Sequence, residues 1–408
     1  MSGRTGSRDG RVGRGKRRPY AWVAALAAFA AWGANVGARG DDRVTLVRTP
    51  AGGVQPQAVV DAEGAIHVVY FRGADAGAGD LDYVRIDPGS SADRFTPPVR
   101  VNSQPGSAVA KGTIRGAQIA IGRGGRLHVA WNGSGQARPA NPNGGAPMLY
   151  ARSDTSRTAF EPQRDLMRRS LSLDGGGTVA ADGQGRVFVA WHGRPVGGPE
   201  GETSRRLLFT RSDDDGATFT TESPAVDEPT GACACCGTRA LATASGSLHL
   251  LFRAATTSGD RDMMLVSSAD HGGHFEARRA HPWKLNMCPM SSSSLAETPT
   301  GVLAAWETQG QIFVAKLDAS GAPVEPPAHP RGTGGNRKHP SLACNARGDY
   351  LVAWAEDTSF TKGGALAWRV FDRNGKPTAE AGRVDDGIPL YGLPAAVARP
   401  DGRFLIVH

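Results

Sequence analysis

Residues 212–219 read Ser212-Asp213-Asp214-Asp215-Gly216-Ala217-Thr218-Phe219, and a looser copy follows at Ser268-Ala269-Asp270-His271-Gly272-Gly273-His274-Phe275. Both run Ser-x-Asp-x-Gly and close on an aromatic ring. A carboxylate at the third position accepts backbone N–H groups of its own turn, and the glycine supplies a positive φ. The ring is expected to pin the turn onto the body of its own sheet. Such a turn joins antiparallel strands, so the chain around it should be β.

Working outward, one hairpin pattern recurs. A small, alternating strand, a Gly-containing turn and an apolar strand ending in an aromatic run through Ala58–Tyr70, Ile119–Trp131, Val179–Trp191, Ala240–Phe252, Ser294–Trp306 and Ser341–Trp354. A last copy, Ala396–His408, ends on His instead. Successive endpoints lie 61, 60, 61, 54, 48 and 54 residues apart. The turns carry hairpin chemistry, as at Glu63-Gly64, Gln184-Gly185 and Asp401-Gly402. Third strands follow at Met148–Ser153, Leu207–Ser212 and Met263–Ser268, and decayed turns at Ser153–Phe160 and Asp318–Val324. A period near 50–60 residues with four short strands per unit is that of a propeller blade. The expected fold is therefore all-β, one propeller of four-stranded blades over residues 41–408. Seven hairpins imply seven blades, with six as the alternative. Val44–Arg48 is a strand without a blade, and pairing it with the C-terminal hairpin would close the ring through the chain's two ends.

The segment before the propeller is of another kind. Residues 1–38 join a basic stretch ending in Lys16-Arg17-Arg18 to an apolar run from Ala21 to Val36, the form of an export signal. Export to the periplasm, cell surface or medium is expected, with membrane attachment only if this segment stays uncleaved. It also explains the charge. Residues 1–40 hold eight Lys or Arg against one acid, so the overall +8 leaves 39 basic against 38 acidic residues beyond them. A nucleic-acid partner thereby loses its compositional support.

In a propeller the innermost strands line the channel, and the segments leading into them gather at one mouth. Those segments carry Lys111 and Arg115, Asp174, the Cys233-x-Cys235-Cys236 triplet with Arg239, Met287-Cys288-Pro289-Met290, Arg337-Lys338-His339 and Tyr391. Charge, thiol and phenol collect there, whereas His67, His128 and His249 repeat at one strand position and read as fold residues. Cys233, Cys235, Cys236 and Cys288 should be neighbours. In an exported chain they form disulfides, the triplet bridging to Cys288; the rival reading is a soft-metal site with Met287 and Met290. No cofactor motif is present, neither a phosphate-binding glycine loop nor a Gly-x-Ser-x-Gly elbow.

The octapeptide turns resemble the Asp-box (BNR repeat) of the sialidase superfamily. Ser212, Asp214, Gly216, Thr218 and Phe219 carry the resemblance, with Ser268, Asp270, Gly272 and Phe275 in the second copy. In that family the box lies on the outer rim, away from the catalytic centre, so the resemblance implies a fold first. It further implies a glycosidase site. Three arginines clamp the substrate carboxylate, a tyrosine activated by a glutamate is the nucleophile, and an aspartate is the acid/base. Carried onto this chain, Arg115, Arg239 and Arg337 supply the clamp, Tyr391 the nucleophile, Glu222 or Glu228 its partner, and Asp174 the acid/base. The expected ligand is a glycan or another small anion. The alternatives are a non-catalytic binding or scaffold propeller, and a metal- or redox-linked protein built on the Cys/Met cluster.

Overall fold

The structure, a computed structural model, describes residues 43–73, 77–110, 112, 114–171, 175–331, 335–359 and 361–408. The expected signal over 1–38 lies outside them. Among the described residues the only helices are 3-10 turns of three residues, and everything else regular is strand.

Seven sheets follow one another along the chain, antiparallel throughout except for one pair in the last. Their innermost strands are Val54–Val60, Gln118–Ile121, Thr178–Ala181, Arg239–Ala242, Ser293–Thr298, Arg337–Cys344 and Ala395–Ala398, and these head blades 1 to 7 in order. Blade 4 shows the plan: Arg239–Ala242, Leu248–Arg253, Met263–Ser268 and Glu276–His281, each hydrogen-bonded to the next. Blade 5 has three regular strands, with isolated bridges Leu317–Pro323 and Val314–Ala328 at its outer edge. Blade 7 is completed from the other end of the chain. Val44–Val47 pairs in parallel with Phe404–Val407, and Thr49 N–H donates to the His408 carbonyl at 2.7 Å. The N-terminal strand thus closes the ring as its spacing implied.

The core is divided among the seven gaps between blades. Strand alternation sends successive side chains to opposite faces. Along Ile66–Arg72, Val69 and Phe71 pack toward blade 2, while Ile66, Val68 and Tyr70 pack toward blade 7. Every pair of consecutive blades shares such a cluster, including blades 6 and 7. The tryptophans that end second strands, Trp131, Trp191, Trp306 and Trp354, are buried in them. Near the axis, small hydroxyls clip neighbours: Thr178 Oγ1 accepts Ala240 N–H at 2.9 Å, Ser294 Oγ accepts Leu342 N–H at 3.0 Å, and Ser341 Oγ accepts Ala396 N–H at 2.9 Å.

The 212–219 turn is self-satisfying. Asp214 Oδ1 accepts Ser212 Oγ–H at 2.7 Å and Thr218 N–H at 2.8 Å, and Oδ2 accepts Thr218 Oγ1–H at 2.6 Å. Asp270 makes the same bonds to Ser268 and His274. The closing ring differs from expectation. Phe219 packs edge-on against Tyr150 of blade 2 at 4.9 Å, Phe275 against Phe209 of blade 3 at 5.1 Å, and Phe160 against Tyr83 of blade 1 at 5.7 Å. Each turn therefore locks onto the preceding blade. The turn leads from the third strand of its sheet to the fourth, and a buried ring of the neighbouring blade offers the apolar seat. Asp215 extends the lock, its Oδ2 accepting Arg126 Nε–H at 2.7 Å. The repeated histidines are fold residues: His67 bonds Tyr83 and Asp61, His128 bonds Tyr150, and His249 bonds Ser267, all fully buried.

Two predictions follow from this lock. Gly216 has φ +77°, and a Cβ there would collide with the Tyr150 hydroxyl, whereas Gly144 has φ +90° and open space around it. Gly144→Ala should cost about 1 kcal/mol from backbone strain alone, and Gly216→Ala at least about 2 kcal/mol more, read as the shift in urea midpoint. The second concerns pH. Burial works against the Asp214 charge, but its bonds from Thr218 and Ser212 hold the carboxyl down at about 2 against an ordinary 3.8. A folded value below the unfolded one stabilises fully above about pH 4 and fades as pH falls toward about 2. Asp214→Asn should lower the melting temperature at pH 6 and lower it less at pH 2.

Candidate functional site

The inner strands leave a central channel, a cavity of about 220 Å³ to which all seven blades contribute. The residues just before the quoted hairpins are Gln57, Gln118, Thr178, Arg239, Ser293, Pro340 and Ala395, of which Gln57, Arg239 and Ala395 line the cavity. Arg239 is the cation among them. Its Nη2 donates to Gln57 Oε1 at 2.7 Å, its Nη1 to Gln118 Oε1, and its Nε to the Ser293 carbonyl at 3.4 Å. Acceptors from three other blades thus converge on one guanidinium, and every one of them is neutral. Burial alone pushes its pKa down to about 10, so it remains a cation at neutral pH. Among the described residues no carboxylate pairs with it.

One to four residues earlier in the chain, four of the seven blades have a non-glycine residue in left-handed backbone. Gln55 (φ 52°), Met290 (φ 45°), His339 (φ 55°) and Tyr391 (φ 61°) all line one narrow cleft at the mouth with Ile114 and Leu393. The left-handed region costs a non-glycine residue on the order of 1–2 kcal/mol, and such strain concentrates at functional sites. Gln55 holds the neighbouring lead-in, donating to the Ala110 carbonyl at 2.8 Å and accepting Gly116 N–H at 2.7 Å. Burial, seconded by Lys338, pushes His339 down to about 3, so its imidazole is neutral.

Tyr391 and Arg239 therefore stand at the mouth and in the channel. Arg115 lies in the lead-in that Gln55 fastens, beside Gly112. Arg337 does not join them. A bulge between Lys338 and Ser341 turns it onto the flank of blade 6. There it stacks over Trp354 at 5.2 Å, lies 3.4 Å from Glu356, and donates to the Pro330 carbonyl at 2.7 Å. It lines an outward cleft with Trp368 and Arg383, so Arg239 and Arg337 do not face one point. Asp174 and Lys111 lie outside the described residues. Glu222 accepts from Arg168 N–H, Arg169 N–H and Ser170 Oγ–H, just before the outer strand Ser223–Pro224, and Glu228 is exposed. Neither lines the Tyr391 cleft.

The cysteines do gather. Cys235 and Cys288 are disulfide-bonded with Cα atoms 6.7 Å apart, tying blades 4 and 5 across 53 residues. A loop of that length contributes about 4 kcal/mol by closure entropy. Cys233 and Cys236 remain thiols, both buried, with Sγ atoms 3.3 Å apart. The hydrogen bond between them, helped by burial, pushes Cys233 up. For Cys236 burial acts the same way, but that bond and the nearby Arg253 guanidinium lower it. Cys344 is a half-buried lone thiol.

Sequence reasoning missed Gln55, Gln57 and Gln118. Their signal was the alignment of the seven hairpins, which puts Gln57 and Gln118 in register with Arg239. It also missed Arg253, a fully buried cation beside the thiols that stacks over Trp283 at 4.9 Å.

No protein-family model matches the chain, and no curated protein matches its sequence. Solved structures do match its fold. A protein of unknown function from Dyadobacter fermentans is 16% identical over 83% of this chain and 96% of its own, at a TM-score of 0.51. The α-L-arabinanase of Penicillium chrysogenum, solved with arabinobiose, is 12% identical over 83% and 94%, at 0.50. The Hadza microbial sialidase Hz136 is 15% identical over 79% and 70%, at 0.49. The resemblance read from the octapeptides thus stands as a likeness of fold alone, and the chain itself is a seven-bladed propeller.

Proposed function

We propose that this is an exported, sialidase-like propeller that binds an anionic glycan at the channel mouth, with Arg239 as the partner of the ligand's carboxylate. The observation that carries the reading is the guanidinium itself. It is held by Gln57, Gln118 and the Ser293 carbonyl, desolvated, and left without a counter-charge among the described residues. A cation fixed by neutral acceptors is pre-ordered for an anion and loses little side-chain entropy on binding it. The neutral His339 and the Tyr391 phenol at the cleft above offer uncharged donors for sugar hydroxyls. Glycoside hydrolysis with Tyr391 as nucleophile is the second reading, favoured by the strained backbone that sets this phenol at the mouth.

Calorimetric titration with N-acetylneuraminic acid, glucuronic acid and neutral arabinobiose tests the first reading. An acidic sugar should bind and arabinobiose should not. Arg239→Gln should weaken binding roughly 10- to 100-fold, the worth of a hydrogen bond to a charged group, while Arg239→Lys retains part of it. If no acid binds, or if Arg239→Gln binds as wild type does, the reading is wrong. Aryl glycosides of the same acids decide the second: hydrolysis lost in Tyr391→Phe supports it, and silence across the set leaves binding alone.

A further inference from the structure

The cysteine cluster makes a case of its own, independent of any glycan. Cys233, Cys235, Cys236 and Cys288 bring four Sγ atoms within 4.8 Å of one another. From Cys233 the others lie at 3.3 Å (Cys236), 3.8 Å (Cys288) and 4.0 Å (Cys235). A tetrahedral site with metal–sulfur bonds of about 2.3 Å has sulfurs about 3.8 Å apart. The three edges from Cys233 are thus close to those a closed four-thiolate site requires, and the Cys235–Cys288 edge opens to that length only once its bond is reduced.

The backbone around it has the matching form. Cys233 and Cys236 are spaced Cys-x-x-Cys on a turn that Cys236 N–H closes to the Cys233 carbonyl at 3.4 Å. The second stem, Cys288-Pro289-Met290, turns back so that Met290 N–H donates to Cys288 Sγ at 3.2 Å. An N–H aimed at sulfur favours the thiolate, the form that ligates metal. Ala255 seals the thiol side, and Ile114, Met290 and Leu393 seal the disulfide side. Arg253 lies under the cluster, its carbonyl accepting Cys233 N–H at 2.9 Å and its Nε without a partner among the described residues. Its guanidinium also faces the buried Glu307 carboxylate at 4.0 Å, so a mixed charge pair rather than a lone cation underlies the sulfurs.

One disulfide across a set of four does not account for this arrangement. Cys233 and Cys236 stay as buried thiols in contact, each also beside the bonded pair. We propose that the cluster is a redox-gated structural zinc site: reduction of the Cys235–Cys288 bond releases two further thiols, and the four sulfurs then bind one Zn²⁺. An external dithiol supplies the two electrons and two protons that convert the Cys235–Cys288 disulfide to two thiols, and itself becomes a disulfide. Zinc then displaces four thiol protons, and no further oxidant or reductant enters. The ion and the disulfide are alternative clips between the same two blades. On the blade 4 side Cys235 stands four residues before Arg239 and Cys236 three, so the exchange bears on the mouth.

The test uses the full chain, either oxidised or reduced with a phosphine and exchanged into oxygen-free buffer. The reduced protein should take up one Zn²⁺ per chain in competition with a chromophoric chelator. Co²⁺ in place of Zn²⁺ should give thiolate-to-metal charge transfer and the intense visible bands of a tetrahedral ion. Zinc should protect four of the five cysteines from alkylation and leave Cys344 reactive, an outcome that wild-type protein alone reports. Cys288→Ser should weaken binding at least about 100-fold, and Cys344→Ser should not change it. The proposal is overturned if folded, reduced protein shows no cobalt bands, if zinc changes no cysteine's alkylation, or if oxidised protein binds as tightly as reduced.

Discussion

Each sheet in this molecule buries both faces, and that constraint organises everything else. A blade alone would expose two apolar faces, and a row of blades would expose two at its ends. Only closure removes the last pair. The chain achieves it with one parallel strand pair, Val44–Val47 on Phe404–Val407, in which Phe404 N–H donates to the Arg43 carbonyl and His408 N–H to the Val47 carbonyl. The clusters that flank blade 7 contain residues from both ends of the sequence. Separating the ends therefore exposes two of the seven cores at once, and the ring is held shut by burial more than by the hydrogen bonds of its seam.

Closure also makes the site. Inner strands that begin at one face of a ring bring their first residues within reach of each other, however far apart they stand in sequence. Arg239 reaches Gln57 across 182 residues and Gln118 across 121. Four left-handed residues, Gln55, Met290, His339 and Tyr391, come together in one cleft at the mouth. The same convergence brings the Cys233–Cys236 turn against Cys288. Arginine, phenol and thiols share a neighbourhood because of topology, with no local sequence signal linking them.

Much of this was legible beforehand because period-two patterning and hairpin chemistry are local. The seven hairpins, the orphan N-terminal strand and the octapeptide turns all lie where the residues put them. What failed was whatever depends on a neighbouring blade or on a half-turn of strand. The seat of Phe219 on Tyr150 involves residues 69 positions apart, and nothing within the octapeptide says which sheet will receive the ring. Arg337 and Arg239 both stand at the start of inner strands. A one-residue bulge beside Pro340 sends Arg337 to the blade flank, where Glu356 and Trp354 absorb it. Period-two reading cannot see a bulge, because the extra residue inverts the facing of everything before it. The glutamines were visible only with all seven repeats in register.

The contrast between rim and channel says where function belongs. At the rim, Asp214 and Asp270 have their oxygens filled from within their own turns, and their apolar partners are buried by the adjoining blade. Such a turn has little left to offer a ligand, and its charge stabilises the fold. In the channel the accounting is reversed. Arg239 is desolvated with only neutral acceptors, several strands enter in unfavourable backbone, and two thiols sit against a disulfide. A fold that merely needed to close could place alanine at each of those positions, as it does at Ala395. The groups that are costly to keep stand at the mouth, and strained backbone beside desolvated charge marks it as the candidate site.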